Sequence, residues 1–378
     1  MPKSLSSYFS SKLYFTLCCG VLFVFAAAAS FNGFLHKFPF IELGKDNNIE
    51  SSFEVTMLLG TAERPYVYRH LIEDVANFAN RTTPQAVKEV LYRNIFPSSP
   101  QSGSVRIAVF AALPPPLRHD WFYRYLILYA LTFLGALAAV VAMYLVCREF
   151  ALPGPAAVLA PIVVILLAPT AYGFPYDYIE LAFLATAVWF ALRLDWWWLL
   201  PLAALAAWNK ESFFFFMPTL YPLLRRRISR RMAGVAVTLL TFVCGLVYLY
   251  MRTRFANNAG DSVIPQFIDH FRTHFGAHDL LFRVDESYGV PIPEISTLPP
   301  TVLLLWTFVR AWKRMPSAVR QHGLIAISIN GPLYLLFCTP HEYRDLSLLS
   351  IFLLLAIAWN LKDGLEHMES AHPVSGRA

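Results

Sequence analysis

Four short clusters of ionisable residues interrupt an otherwise apolar chain: Arg64-Pro65-Tyr66-Val67-Tyr68-Arg69, the pair Asp177 and Glu180, Asn209-Lys210-Glu211-Ser212, and His341-Glu342-Tyr343-Arg344-Asp345. Arginine grips a phosphate or pyrophosphate bidentately, and lysine holds one as a point charge. A carboxylate beside them can take the proton of an attacking hydroxyl. Such parts suffice to move a sugar from a polyprenyl-phosphate carrier, to flip such a lipid, or to transport an anion. Each cluster also has a plainer use. Lys210 and Glu211 could form the solvated turn of a helical hairpin, and His341 to Asp345 an ion-paired turn. Arg64 to Arg69 could anchor an interfacial helix. Asp177 and Glu180 are three residues apart, which places them on one helix face, where they could simply mark its mouth.

Other motifs carry less. The HEYRD run at 341–345 lacks the second histidine of a zinc-protease HExxH. His270, His274 and His278 recur every four residues beside Asp269 and Asp279, so one helix face could offer two of them to a metal. Gly276 weakens that helix, and Phe267, Phe271 and Phe275 read instead as an interfacial aromatic face. No cofactor is called for, and a divalent cation is the one candidate. Asn80-Arg81-Thr82 is an acceptor sequon. The five cysteines lie in or beside apolar runs with no CxxC pair, so neither a disulfide framework nor a zinc site is indicated.

The elements that must position these clusters follow from composition. Of 378 residues, 57% are hydrophobic and 15% charged, against about 25% charged in soluble domains, and the mean hydropathy is +0.48. Too few polar residues exist to cover a soluble surface, which excludes a secreted disulfide scaffold, a disordered chain and a nucleic-acid-binding domain. A bilayer crossing takes about 17–25 apolar residues. Leu13–Phe31, Tyr125–Cys147 and Ala233–Met251 reach that length. Shorter runs are Ala156–Thr170, Ile179–Leu194, Trp196–Trp208, Phe213–Leu224, Pro300–Trp312, Leu324–Phe337 and Leu346–Leu361. The expectation is an all-α polytopic membrane protein, one membrane domain over 1–378, with about ten transmembrane helices, or eight plus a re-entrant hairpin at 196–224. Either count puts both termini on one side.

Basic residues orient the chain. With the N-terminus inside, the short inner segments hold eleven (Arg148, Arg193, the five arginines of RRRISRR at 225–231, Arg310, Lys313, Arg314 and Arg320), and the short outer loops hold only Lys210 and Arg344. Both termini are therefore expected in the cytoplasm, with RRRISRR as an anchor beside anionic headgroups rather than a nucleic-acid patch. The basic start and the small residues Ala26 to Ser30 also fit a signal peptide, although the apolar core is long for one. Two long loops, 32–124 and 252–299, then fall outside. In the first, Tyr68, Leu71, Ile72, Val75 and Phe78 have helical spacing, Ala86–Ile95 resembles them, and the prolines at 114–116 break the pattern. Such amphipathic helices suit packing or the membrane interface. All the polar clusters fall on the outer side in this topology, which points to a shared cavity.

A first span, a long outer loop with amphipathic helices and a polytopic bundle resemble the C-type integral-membrane glycosyltransferases. The segments RPYVYRHL, WNKESFFFF and TPHEYRDLSLL also resemble patterns in bacterial polytopic membrane proteins related to that superfamily, and the likeness spans most of the chain. It implies hexosyl transfer from a polyprenyl-phosphate-linked sugar at the extracytoplasmic face, in an integral protein of a bacterial inner membrane, with membrane lipids as the other partner. It further implies a catalytic carboxylate in the first outer loop. The paired acidic motif of the superfamily is missing, since no carboxylate lies between Phe31 and Glu42. Of Glu42, Asp46, Glu50 and Glu54, Asp46 is favoured, then Glu54. Arg69, Lys210 and Arg344 would hold the lipid phosphate, and Asp177, Glu211, His341 and Glu342 would orient them or the acceptor. The competing readings are a flippase or transporter, for which 196–224 is the one broken-helix candidate, and a non-catalytic scaffold subunit.

Overall fold

The computed structural model describes residues 5–37, 53–95, 113–114, 117–168, 173–260, 281–284, 290–292, 297–338 and 343–371. Asp46, His341, Glu342 and the histidines at 270–278 lie outside these residues. The described chain is helical apart from one two-residue ladder, β1 (Arg283–Val284) on β2 (Pro291–Ile292), in which Arg283 faces Ile292.

Long apolar runs make the long helices. They are α1 (Leu5–Lys37), α5 (Leu117–Glu149), α6 (Gly154–Leu167), α7 (Pro175–Arg193) and α8 (Trp196–Asn209). Next come α9 (Ser212–Phe216), a 3-10 segment at Met217–Leu220, α10 (Tyr221–Leu224) and α11 (Arg230–Arg254). The last are α12 (Leu298–Trp312), α13 (Ser317–Phe337), a 3-10 segment at Tyr343–Leu349 and α14 (Ser350–Ala371). Among the described residues, four stretches are long and apolar enough to cross a membrane: Leu13–Phe34, Leu117–Glu149, Arg230–Arg254 and Arg344–Met368. Helix α6 is apolar but has 14 residues, about 21 Å at 1.5 Å per residue, short of a hydrocarbon core of about 30 Å. Along α11 the large apolar residues Val235, Phe242, Leu246 and Leu249 stand more than half exposed. A lipid-facing surface explains such a stripe, since soluble monomers rarely leave one bare.

Small residues hold the centre together. Helix α5 packs along α7, with Ala136, Ala139 and Ala185 fully buried. A Cβ on Gly135 would stand 2.7 Å from Ile179 Cγ1 and 3.2 Å from the Ile179 backbone nitrogen. Helices that approach this closely need glycine at the crossing. Gly135→Leu should therefore force α7 outward and abolish a single folded peak in detergent size exclusion. Recovery of a normal peak would show that the contact is not essential. Ser30 ties a third and a fourth helix in: its hydroxyl donates to the Ile165 carbonyl at 2.6 Å and lies 2.8 Å from the Tyr178 hydroxyl.

The loop after α1 folds as α2 (Phe53–Leu59), a 3-10 turn at Tyr66–Tyr68, α3 (Leu71–Thr82) and α4 (Gln85–Ile95). Helix α3 starts at Leu71, so Tyr68 belongs to the 3-10 turn and not to the helix. The chain breaks at Arg69 (φ −92°, ψ 71°), which frees that side chain to point away from the α3 axis. Helices α3 and α4 lie on the first turns of α5, where Lys88 Nζ meets Asp120 Oδ1 at 2.8 Å. The 3-10 turn rests on the end of α11: Val67 and Tyr68 bury against Met251 and Phe255. Beyond α11, Asn258 donates to the carbonyls of Gly60 and Ala62 at 2.8 and 2.9 Å, and Arg64 N–H donates to Ala259 at 2.9 Å. Gly260 (φ +98°) closes this latch, and a Cβ there would stand 2.7 Å from the Arg64 carbonyl oxygen and 2.9 Å from its nitrogen.

Candidate functional site

The site forms where α8 ends. Lys210 turns extended (φ −161°, ψ 135°) and stops the helix, and α9 begins two residues later. Asn209 Nδ2 donates to the Tyr176 carbonyl at 3.0 Å, pinning this turn to the first turn of α7. Pro175 opens α7, and the Phe174 N–H donates to Asp177 Oδ2 at 2.8 Å. The second of these bonds occupies a backbone N–H that a helix start leaves open.

Lys210 is 3% exposed. Its ammonium lies 2.8 Å from Glu180 Oε2, 3.0 Å from Asp177 Oδ1 and 3.6 Å from Asp345 Oδ1. Three donor hydrogens thus face three carboxylates from two chain segments. Glu180 Oε1 accepts from Ser212 and, at 2.6 Å, from Ser347. Arg344 Nη1 reaches Asp177 Oδ2 at 3.2 Å, and its guanidinium sits 4.4 Å over the Phe174 ring. Helix α13 supplies the brace: Asn330 Nδ2 donates to the Asp345 carbonyl at 2.7 Å, and its Oδ1 accepts from the Leu348 N–H at 3.2 Å.

Arg69 comes from the loop side. Its guanidinium forks onto Glu211, with Nε 3.0 Å from Oε2 and Nη2 on Oε1, while Nη1 donates to the Tyr176 hydroxyl at 2.8 Å. Its centre lies 5.2 Å from the Tyr176 ring, within cation–π range. Burial opposes the charge on Arg69, but Glu211 beside it more than offsets this and holds the guanidinium well above its ordinary pKa. The neighbouring His70 is pushed down to about 4 chiefly by burial; its Nε2 lies 3.7 Å from Asp74, which also pairs with Arg254 at 2.6 and 2.8 Å.

Two spaces open beside this network. The larger, about 170 Å³, has Asp177, Glu180, Arg344 and Ser347 at one end and apolar walls that include Phe34, Leu167, Leu304, Phe308 and Leu353. The smaller, about 10 Å³, is lined by Glu54, Glu73, Phe53, Met57 and Leu128, with Tyr176 closing it. Phe174 borders both.

Arg69, Asp177, Lys210, Glu211 and Arg344 therefore share one network. Glu54 is buried in the adjoining cleft. The sequence reading did not single out Tyr176, Asn330, Ser347 or Glu73 as site residues. Asn330 was detectable as a lone amide in an apolar run, whereas Glu73 gave no signal. The four carboxylates Asp177, Glu180, Glu211 and Asp345 outnumber Arg69, Lys210 and Arg344 by one, and each of those cations touches a carboxylate. An incoming phosphate must exchange for one of these partners. Arg344 is best placed for the exchange, because it borders the larger cavity and Lys210 does not. Among the described residues no group of three or more His, Cys, Asp or Glu is placed to hold a metal ion. Searches of protein families, curated proteins and solved structures find no match to this chain.

Proposed function

We propose that this chain is a membrane glycosyltransferase that moves a sugar from a polyprenyl-phosphate-linked donor to an acceptor at the extracytoplasmic face. The larger cavity carries the reading. One end offers a guanidinium, two carboxylates and a hydroxyl, and the walls are apolar side chains from α1, α6, α12 and α14. That division suits a phosphate on an isoprenoid tail. Arg344 would take the phosphate, and Phe34 and Phe308 would flank the tail. The proposed topology has ten crossings and both termini in the cytoplasm. In support, α7, α9 and α14 begin at the site while α6, α8 and α11 end near it, as alternating crossings require.

The test is donor turnover by the purified protein in liposomes containing polyprenyl-phosphate hexoses. Release of polyprenyl phosphate is expected, with a loss of about a hundredfold or more in Arg344→Met. Donor moved between leaflets without bond cleavage would favour a flippase instead. A second reading has its own observation: every basic side chain of the network is already matched by a carboxylate, as in a purely structural ionic core. A scaffold subunit of that kind would leave the donor intact, and Arg344→Met would lower its thermal stability instead of a turnover.

A further inference from the structure

We propose that Glu73 is the group that accepts the proton of the attacking hydroxyl in the transfer reaction, acting inside the small cleft it shares with Glu54. The inference rests on the glycosyltransferase reading and assigns to Glu73 a role that the loop sequence suggested for Asp46 or Glu54.

Glu73 stands in the first turn of α3 and is 4% exposed. Its Oε2 has no hydrogen-bond partner among the described residues, and the side chain lines the cleft. A buried carboxyl oxygen without a partner is costly and calls for an explanation. The cleft has room for about one water or one hydroxyl. The titratable groups around it are few. Glu54 faces it from α2, and Tyr176, whose hydroxyl is occupied by Arg69, faces it from α7. Helix α5 contributes only Leu128. Asp74, next along α3, is turned to Arg254. Burial pushes the Glu73 carboxyl up to about 8, with its own backbone N–H opposing and Asp74 adding to the rise. A base of that strength is well matched to a hydroxyl whose acidity grows as it attacks. Phe174 lines both this cleft and the larger cavity, and the acceptor would meet the donor's sugar beside that ring.

The step balances without a further reactant. The acceptor hydroxyl gives its proton to Glu73 Oε2, and its oxygen lone pair forms the bond to the anomeric carbon. The bond from that carbon to the phosphate oxygen breaks, and its electron pair leaves on the polyprenyl phosphate.

The experiment uses the full-length protein in liposomes with polyprenyl-phosphate hexoses, counting released polyprenyl phosphate so that attack by any hydroxyl, water included, is scored. Glu73→Gln mimics the neutral resting carboxyl and should fold normally. Wild-type release should climb with pH and level off above about pH 8, and Glu73→Gln should lower it at least about a hundredfold with donor retention unchanged. The infrared difference between the two proteins should show a protonated carboxyl that titrates near the same pH. Release by Glu73→Gln within about tenfold of wild type overturns the role of Glu73 while leaving the transfer reading intact. So does a carboxyl already ionised at about pH 6. No release by wild type, with the titrating carboxyl present, overturns the transfer reading and the proposed role together.

Discussion

Lys210→Met should cost the protein about 3–5 kcal/mol, a large part of an ordinary folding margin of about 5–15 kcal/mol. The ammonium stands within 3.6 Å of Asp177, Glu180 and Asp345. Methionine fills similar space but leaves these carboxylates facing one another with much less compensation. Burying a charge without its partner is what makes such removals expensive, even though the intact pair contributes little net stability. A melting curve in detergent, read by the monodisperse fraction after heating, should shift down by many degrees. Adding Glu180→Gln should recover part of the loss, since the amide removes one negative charge and still accepts from Ser347. A Lys210→Met protein that melts within a degree or two of wild type would mean that water reaches this ring and the network is not a buried one.

Arg69 should resist conservative exchange. Arg69→Ala leaves Glu211 with no fork and the Tyr176 hydroxyl with no donor, and should also cost about 3–5 kcal/mol. Arg69→Lys keeps the charge. It loses the second arm onto Glu211 and the bond to Tyr176, so a loss of about 1–3 kcal/mol is expected. A double-mutant cycle with Glu211→Gln isolates the pair. Coupling above about 1 kcal/mol is expected for groups in one hydrogen-bonded network. Coupling under about 0.5 kcal/mol would place the two side chains apart in solution, and the link between the loop and the α8–α9 turn would go with it.

Some of this was legible from residue types and some was not, for identifiable reasons. Apolar length made α1, α5 and α11 readable, because a bilayer-length run has few alternatives. The polar breaks at Asp177–Glu180, Lys210–Glu211 and Arg344–Asp345 were readable as one cluster, because each interrupts a costly stretch and the basic residues fix which loops share a side. Pairing was not readable. Sequence places Lys210 among several carboxylates but cannot say that three of them surround it, which changes the residue from a free phosphate ligand into the hub of an ion ring. Glu73 was hidden for a different reason. It adjoins Asp74 on the polar flank of an amphipathic helix, where a solvated face is the default. Only the packing of α2 and α5 on α3, with the start of α7 alongside, buries one of these neighbours in a cleft and turns the other to Arg254. Lys88 is a similar case, polar in pattern yet buried on Asp120. The short α6 and the divided α9–α10 remained ambiguous because neither run reaches bilayer length by itself.

The latch between the first loop and the end of α11 also sets a schedule for synthesis. Arg64 and the Gly260 carbonyl it holds are 196 residues apart, and Arg69 and Glu211 are 142 apart. At ~5–20 residues per second, the loop must wait about ten to forty seconds after translation for its last partners to emerge from the ribosome. During that interval the carbonyls of Gly60 and Ala62 and the guanidinium of Arg69 are without the neighbours they have in the finished protein. For the first part of it the small cleft is not yet closed either, because Tyr176, 107 residues after Arg69, is still to come. The end of the molecule that holds the ionic network is thus completed late, by the insertion of helices that come later in the chain. Quality control that reads exposed polar backbone would see this loop as unfinished until α11 is in place.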